Sequence, residues 1–326
     1  MRKRELHSSG IPGLEPPEVL IFFHIPKTGG STMGGVFEHL FPNQYFHAHV
    51  GPTDSALLVR DTKRIGELFR QMPVEKRQLV RCLIGIHVAM DVDTIFDRPS
   101  KFFTIVRDPI DRAISNFFDN RNQPHLVSYP FIKDLTLEQY LDSGIGLDAH
   151  NHQVRMLSGC AELDAPWDPE GRPISTPPVE RRHLEMAKKN IEDRFIVAAP
   201  LEQFSALVWF FKRLYGVPMH RMFYQVRNET PGRQKAESVS EATRKRLRAW
   251  NSYDLELYEW VRQRFSAQIA PLEPQFSREV ARFNAMNRLV QRLGRLSPQL
   301  VRKRVRSLLF KPAALSQAGQ PTSAPF

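Results

Sequence analysis

Ile21-Phe22-Phe23-His24-Ile25-Pro26-Lys27-Thr28-Gly29-Gly30-Ser31-Thr32 runs from an apolar strand through a tight turn into two hydroxyl residues that open a helix. Val19 to Phe23 is wholly apolar, the pattern of a strand buried on both faces of a parallel sheet. Thr32 to Leu40 has helical apolar spacing. Such a turn suits a phosphate-like anion. Gly29 and Gly30 let the backbone approach closely, and the first N–H groups of the helix point at the ligand with the positive end of the dipole behind them. Lys27 adds an ammonium, and Ser31 and Thr32 add hydroxyls. The lysine precedes the glycines, whereas a nucleoside-triphosphate loop needs G-x-x-x-x-G-K-[ST]. That run does not occur in the chain, so the pattern argues against ATP bound in the usual way. The bland reading is a glycine turn used only for close packing.

A second strand-to-helix boundary lies at Phe102-Phe103-Thr104-Ile105-Val106-Arg107-Asp108-Pro109-Ile110-Asp111-Arg112-Ala113-Ile114-Ser115. Asp108 suits an N-cap, Pro109 the first helical position, and Asp111 the first turn. Arg107 falls at a strand's carboxyl end, where open α/β sheets bind ligands. Ser115 lies roughly 10–12 Å further along the helix axis. A phosphate between them could accept from guanidinium and hydroxyl together. Alternatively, Arg107 pairs with Asp108 or Asp111 and Ser115 faces solvent.

Taken together, the segments resemble the two halves of the cofactor site of sulfotransferases that use 3′-phosphoadenosine 5′-phosphosulfate. In that superfamily a P-K-T-G-G-[ST]-[ST]-like run holds the 5′-phosphosulfate and R-D-P-x-x-R-x-x-S holds the 3′-phosphate. Pro26 to Thr32 and Arg107 to Ser115 match both without gaps. Gly85-Ile86-His87 resembles the G-x-H element of the heparan sulfate 6-O- and 2-O-sulfotransferases, and Asn151-His152-Gln153-Val154-Arg155-Met156-Leu157 the N-x-Q-x-R-M-L run of the 6-O branch. Phe195-Ile196-Val197 ahead of Glu202 and Phe204, and Asn251, Asp254, Leu257 and Tyr258, fit the same lineage. The 2-O branch carries two histidines flanking a glycine, and only the second position is filled here, by His87.

The resemblance implies a cofactor site of Lys27, Thr28, Gly29, Gly30, Ser31, Thr32, Arg107 and Ser115. It also implies catalytic roles for His87 and Lys27. Sulfuryl transfer needs positioning and charge stabilisation more than covalent chemistry. His87, at the end of an apolar run, would take the acceptor's proton. Lys27 would stabilise charge on the bridging oxygen. No metal is required by that chemistry, and no metal-binding constellation stands out. The expected acceptor is a hydroxyl on a saccharide or glycolipid. Alternatives are a nucleotide or sugar kinase using the Lys27 loop, and a non-catalytic basic protein binding nucleic acid or membrane. The kinase is disfavoured by the lysine's position, and no recognised nucleic-acid motif is present.

The 326 residues, 41% hydrophobic, suffice for one large α/β domain. The expected fold is P-loop-like, a mainly parallel sheet flanked by helices with a helical C-terminal extension. Strands are expected near 19–23, 80–87, 102–106, 194–199 and 222–226, with a less regular insert from about 120 to 180. The expected divisions are a flexible arm at 1–17, the sulfotransferase domain at 18–270, a basic amphipathic extension at 271–311 and a disordered tail at 312–326. Net charge is +11, and Ser277 to Lys311 holds ten Arg or Lys against Glu279 alone. That segment either packs on the domain with its basic face solvated or touches an anionic membrane. No window approaches the roughly eighteen apolar residues of a membrane span. The start of the chain lacks the apolar core of a secretory signal. Its two cysteines, Cys82 and Cys160, do not make a disulfide framework. A cytoplasmic location, peripheral to the membrane at most, is expected.

Overall fold

The computed structural model describes residues 10–48, 62–85, 88–124, 126, 128–143, 145, 149–163, 177–226 and 239–296. Strands β1 (Val19–Phe23), β2 (Tyr45–His47), β3 (Cys82–Gly85), β4 (Ser100–Val106) and β5 (Phe195–Pro200) form one sheet in the order β2-β3-β1-β4-β5. Every pairing is parallel, so each connection must cross over, and helices supply most of the crossings. The helices are α1 (Gly30–Leu40), α2 (Thr62–Gln71), α3 (Val74–Leu79), α4 (Pro109–Asn120), α5 (Tyr129–Ile132), α6 (Leu137–Asp142), α7 (His152–Leu157), α8 (Arg181–Arg194), α9 (Phe204–Leu214), α10 (Glu241–Trp250), α11 (Ser252–Ile269) and α12 (Gln275–Leu296).

Period-two alternation of β1 sorts the core onto two faces. Leu20 and Phe22 pack with Phe37 of α1, Phe211 of α9 and Phe283 of α12. Val19, Ile21 and Phe23 pack with Leu157 of α7, Leu184 of α8 and Leu257 of α11. Phe103 of β4 stacks on Phe22 at 4.6 Å and meets Phe37 and Phe211 at 4.9 Å each. Removing such a ring typically costs about 3–5 kcal/mol. A satellite core joins Phe117 of α4, Tyr140 of α6 and Leu247 of α10. The strand order reverses around β1, with β3 on one side and β4 on the other. Ligands of open α/β sheets bind at that switch, beyond the carboxyl ends of the strands.

Two expectations change. No strand forms at 222–226; β2 is the fifth strand instead. Tyr224 donates its N–H to Asn287 Oδ1 (3.0 Å), and its carbonyl accepts from Gln291 Nε2 (3.3 Å), so side chains of α12 satisfy this backbone. The described part of the expected flexible arm is docked: Ile11 is buried in the phenylalanine core, and Gly10 N–H donates to the carbonyl of Arg213 (3.1 Å). An apolar side chain with a free place in the core outweighs the local polar, proline-bearing composition. The C-terminal extension packs on the domain as far as it is described. Phe276 and Phe283 are buried while Arg278, Arg282, Arg288 and Arg292 are exposed. The rest of that extension and the expected tail lie outside the described residues. Among the described residues, no helix is long and apolar enough to cross a membrane.

Candidate active site

The β1–α1 turn has the geometry its residues dictate. Lys27 (φ 70°) and Gly29 (φ 86°) both lie in the left-handed region, which costs a non-glycine residue about a kilocalorie or more. Thr28 is fully buried, and its hydroxyl donates to the carbonyl of Ile25 at 2.8 Å, bracing the turn from inside. Helix α1 has Gly29 as its N-cap, which supplies no side-chain cap. Its leading N–H groups are those that sequence reading assigned to an anion. A Cβ on Gly30 would lie 1.8 Å from His24 Nε2, and one on Gly29 would lie 2.8 Å from Leu201 Cδ1. The two glycines therefore make room for the His24 ring, which stacks on Phe22 at 5.1 Å, and for the segment after β5. His24 is thus a packing group beneath the turn.

The second half is set by α4. Asp108 caps it, accepting from the N–H of Asp111 at 2.9 Å, with Pro109 in the first turn, as the sequence implied. Arg107 is mostly buried at the end of β4. Its Nη1 donates to the carbonyl of Lys27 at 3.0 Å, and Nη2 lies 3.8 Å from Asp111. One guanidinium thus ties the two segments together. Lys27 Nζ makes an ion pair with Asp119 at 2.7 Å. Asp111, Ser115 and Asp119 are spaced i, i+4, i+8 along α4 and share one stripe. Ser115, itself buried, therefore stands between the residue that meets Arg107 and the residue that meets Lys27.

A further group of buried polar side chains stands behind Arg107. Gln153 accepts the Arg107 N–H (2.9 Å) and donates to its carbonyl (2.8 Å), pairing with the strand end as a neighbouring strand would. Gln153 is held in turn by Asp254, fully buried, which accepts from the N–H groups of Gln153 (3.0 Å) and Val154 (2.7 Å) and so caps α7. Burial pushes the Asp254 carboxyl up from its ordinary range, while those two N–H bonds and the charge of Arg112 pull it down. Asn151 Oδ1 accepts from Tyr253 and Asp254 at 3.0 Å each, at the start of α11. Asn251 Oδ1 accepts from Asn151 N–H at 3.0 Å. Each helix start is capped by residues of the other. Arg112, the second arginine of the R-D-P-x-x-R run, is fully buried and belongs to this interior network.

His87 lies outside the described residues. Gly85, two positions earlier, is required by packing, since a Cβ there would meet the carbonyl of Ala48 at 2.9 Å. His150 stacks on Trp250 at 3.7 Å. Cys160, Glu162 and His183 bring one potential ligand atom each within 4.8 Å. However, His183 Nδ1 accepts the N–H of Glu180 (2.9 Å), which leaves the ring proton on Nε2, 3.4 Å from Glu162. That tautomer turns a donor toward the cluster and offers a cation no lone pair.

A model of the sulfotransferase family matches residues 14–160, which include both anion segments. Human heparan-sulfate 6-O-sulfotransferase 1 is 26% identical over 304 residues, covering 80% of this chain and 69% of that protein. Chicken (Gallus gallus) heparan-sulfate 6-O-sulfotransferase 2 is 26% identical over 294 residues, covering 76% and 67%. A crystal structure of mouse sulfotransferase SULT7A1 complexed with PAP aligns with 84% of this chain and 90% of that one, at 13% identity and a TM-score of 0.41. Across both anion segments the chain is similar to the sulfotransferase family. Over most of its length it is similar to the heparan-sulfate 6-O-sulfotransferases. The kinase and the non-catalytic readings find no support in these matches.

Proposed function

We propose that the protein transfers a sulfuryl group from 3′-phosphoadenosine 5′-phosphosulfate to a hydroxyl of a saccharide. The observation that carries the reading is the Arg107–Lys27 contact (3.0 Å), which makes one site from the two motif segments. In this reading the N–H groups of Gly29 to Thr32 receive the 5′-phosphosulfate, and Arg107 with Ser115 receives the 3′-phosphate. The sulfur–oxygen bond to the phosphate breaks as a new one forms to the acceptor oxygen, and Lys27 stabilises the charge left on the departing oxygen. His87, assigned from its G-x-H context, takes the acceptor's proton. The names of the relatives support a saccharide over a glycolipid. Adenosine 3′,5′-bisphosphate should raise the melting temperature more than AMP or ATP, and labelled sulfate should pass to an oligosaccharide. Equal stabilisation by AMP and the bisphosphate defeats the site assignment, and absence of transfer to any saccharide defeats the acceptor.

Cys82, buried in β3, and Cys160 are both free thiols, which supports a cytoplasmic location. The exposed arginines of α12 support peripheral contact with anionic lipid. Imaging of a tagged protein tests the first and flotation with anionic vesicles the second; an oxidising compartment or failure to float overturns each.

A further inference from the structure

The pair between Lys27 and Asp119 is not explained by the two motifs. Asp119 lies at the end of α4, one turn past Ser115, outside the R-D-P-x-x-R-x-x-S run. The lysine backbone is pinned, by the left-handed turn (φ 70°) and by Arg107 on its carbonyl. Only the side chain is left to move. In this structure its ammonium sits 2.7 Å from Asp119 Oδ1, both side chains being largely shielded (15% and 28% exposed). The other carboxylate oxygen accepts from Gln123 Nε2 at 2.6 Å, a second partner that favours its place over α4. A donor phosphosulfate seated on the start of α1 would bring a second anion within reach of the same ammonium.

We propose that Asp119 is a positioning residue that acts as the built-in rival of the donor for Lys27. With no donor bound, Asp119 holds the ammonium over α4 and neutralises it. Donor binding exchanges the carboxylate for the phosphosulfate, and the affinity observed is what remains after the pair is broken. Asp119 thereby lowers donor affinity, and the donor's arrival leaves the carboxylate without its ammonium beside the transfer site. This inference rests on the sulfotransferase reading of the loop.

The test is titration calorimetry of the full chain with adenosine 3′,5′-bisphosphate, using wild type, Asp119→Asn, Asp119→Glu, Lys27→Ala and the Lys27→Ala/Asp119→Asn pair. Asp119→Asn should bind about three- to fivefold tighter, the upper scale of a partly shielded ion pair. Asp119→Glu, which can re-form the pair, should return affinity to within about twofold of wild type. In the Lys27→Ala background, Asp119→Asn should change affinity by less than about twofold, because the rivalry needs the lysine. Unchanged binding by Asp119→Asn overturns the proposal. So does an equal gain in the Lys27→Ala background, which would mark a general field effect. Melting curves of each variant establish folding, and Asp119→Glu keeps the question open to refutation should the Asn variant not fold. A wild type that binds AMP as tightly as the bisphosphate would instead indict the donor site, leaving the two failures distinct.

Discussion

Replacing Gln153 by alanine removes two bonds at once, the acceptor for the Arg107 N–H (2.9 Å) and the donor to its carbonyl (2.8 Å). Gln153 is 1% exposed and Arg107 9%, so water does not readily replace either bond. A buried polar group left without a partner costs about 1–3 kcal/mol. Two such groups, partly relaxed, put the loss at about 2–4 kcal/mol. With an unfolding entropy of about 2 cal/mol/K per residue, a chain of this size should lose roughly 3–6 °C of melting temperature. The same change frees the strand end that aims the guanidinium, so the preference for adenosine 3′,5′-bisphosphate over AMP should fall by roughly 5- to 30-fold, the equivalent of one weakened charged hydrogen bond. Gln153→Glu should keep one bond and set a carboxylate against the Arg107 carbonyl, giving an intermediate result. Calorimetric titration with both nucleotides, beside melting curves, measures both effects. A Gln153→Ala protein with lowered stability but an undiminished bisphosphate preference would refute the link from Gln153 to the 3′-phosphate.

Three more outcomes are expected. Lys27→Ala should lower kcat by orders of magnitude, because the charge it meets develops in the transition state; steady-state assay decides, and a kcat within about twofold of wild type removes it from the mechanism. Gly30→Ala, whose Cβ collides with the His24 ring, should weaken bisphosphate binding, and adding His24→Ala should restore part of it; no recovery means the collision is not the cause. Burial raises the Glu279 carboxyl, but bonds from Trp209 (2.7 Å) and Arg213 (2.9 Å) outweigh it and hold the group below its ordinary range. Its contribution is therefore complete above the unfolded value of about 4.3 and lost as pH falls through the lower folded value, so Trp209 fluorescence should report loosening of α12 only below about pH 4, and Glu279→Gln should flatten that response.

What the sequence disclosed and what it hid divide by the range of the interactions. The Lys27 turn and the Asp108 cap are local, decided within four or five residues, and both were readable, as were the strands flanking them. The segment 222–226 has a strand's apolar content, but its backbone is claimed by Asn287 and Gln291 some 65 residues on, which no local pattern announces. β2, three residues long, offers too little alternation to be seen. Within the site, Asn151, Gln153 and Asp254 were visible as fragments of a resemblance without a physical reason, because their partners lie about a hundred residues apart. Asp119 gave no signal: an aspartate ending an amphipathic helix has the look of a solvated charge until the lysine is seen beside it.

The crossed caps at the starts of α7 and α11 bear on how this protein can be divided. The family match ends at residue 160, and both anion motifs lie before that point. Yet the glutamine that braces Arg107 takes its own support from Asp254, and Asn151 spends its side chain on the start of α11. β4, which delivers Arg107, also leans on β5 for one whole edge. A fragment stopped at 160 would therefore contain both anion motifs and lack the groups that brace Arg107. Shuffling, truncation or grafting of this site must treat everything from β1 to at least the end of α11 as one indivisible module.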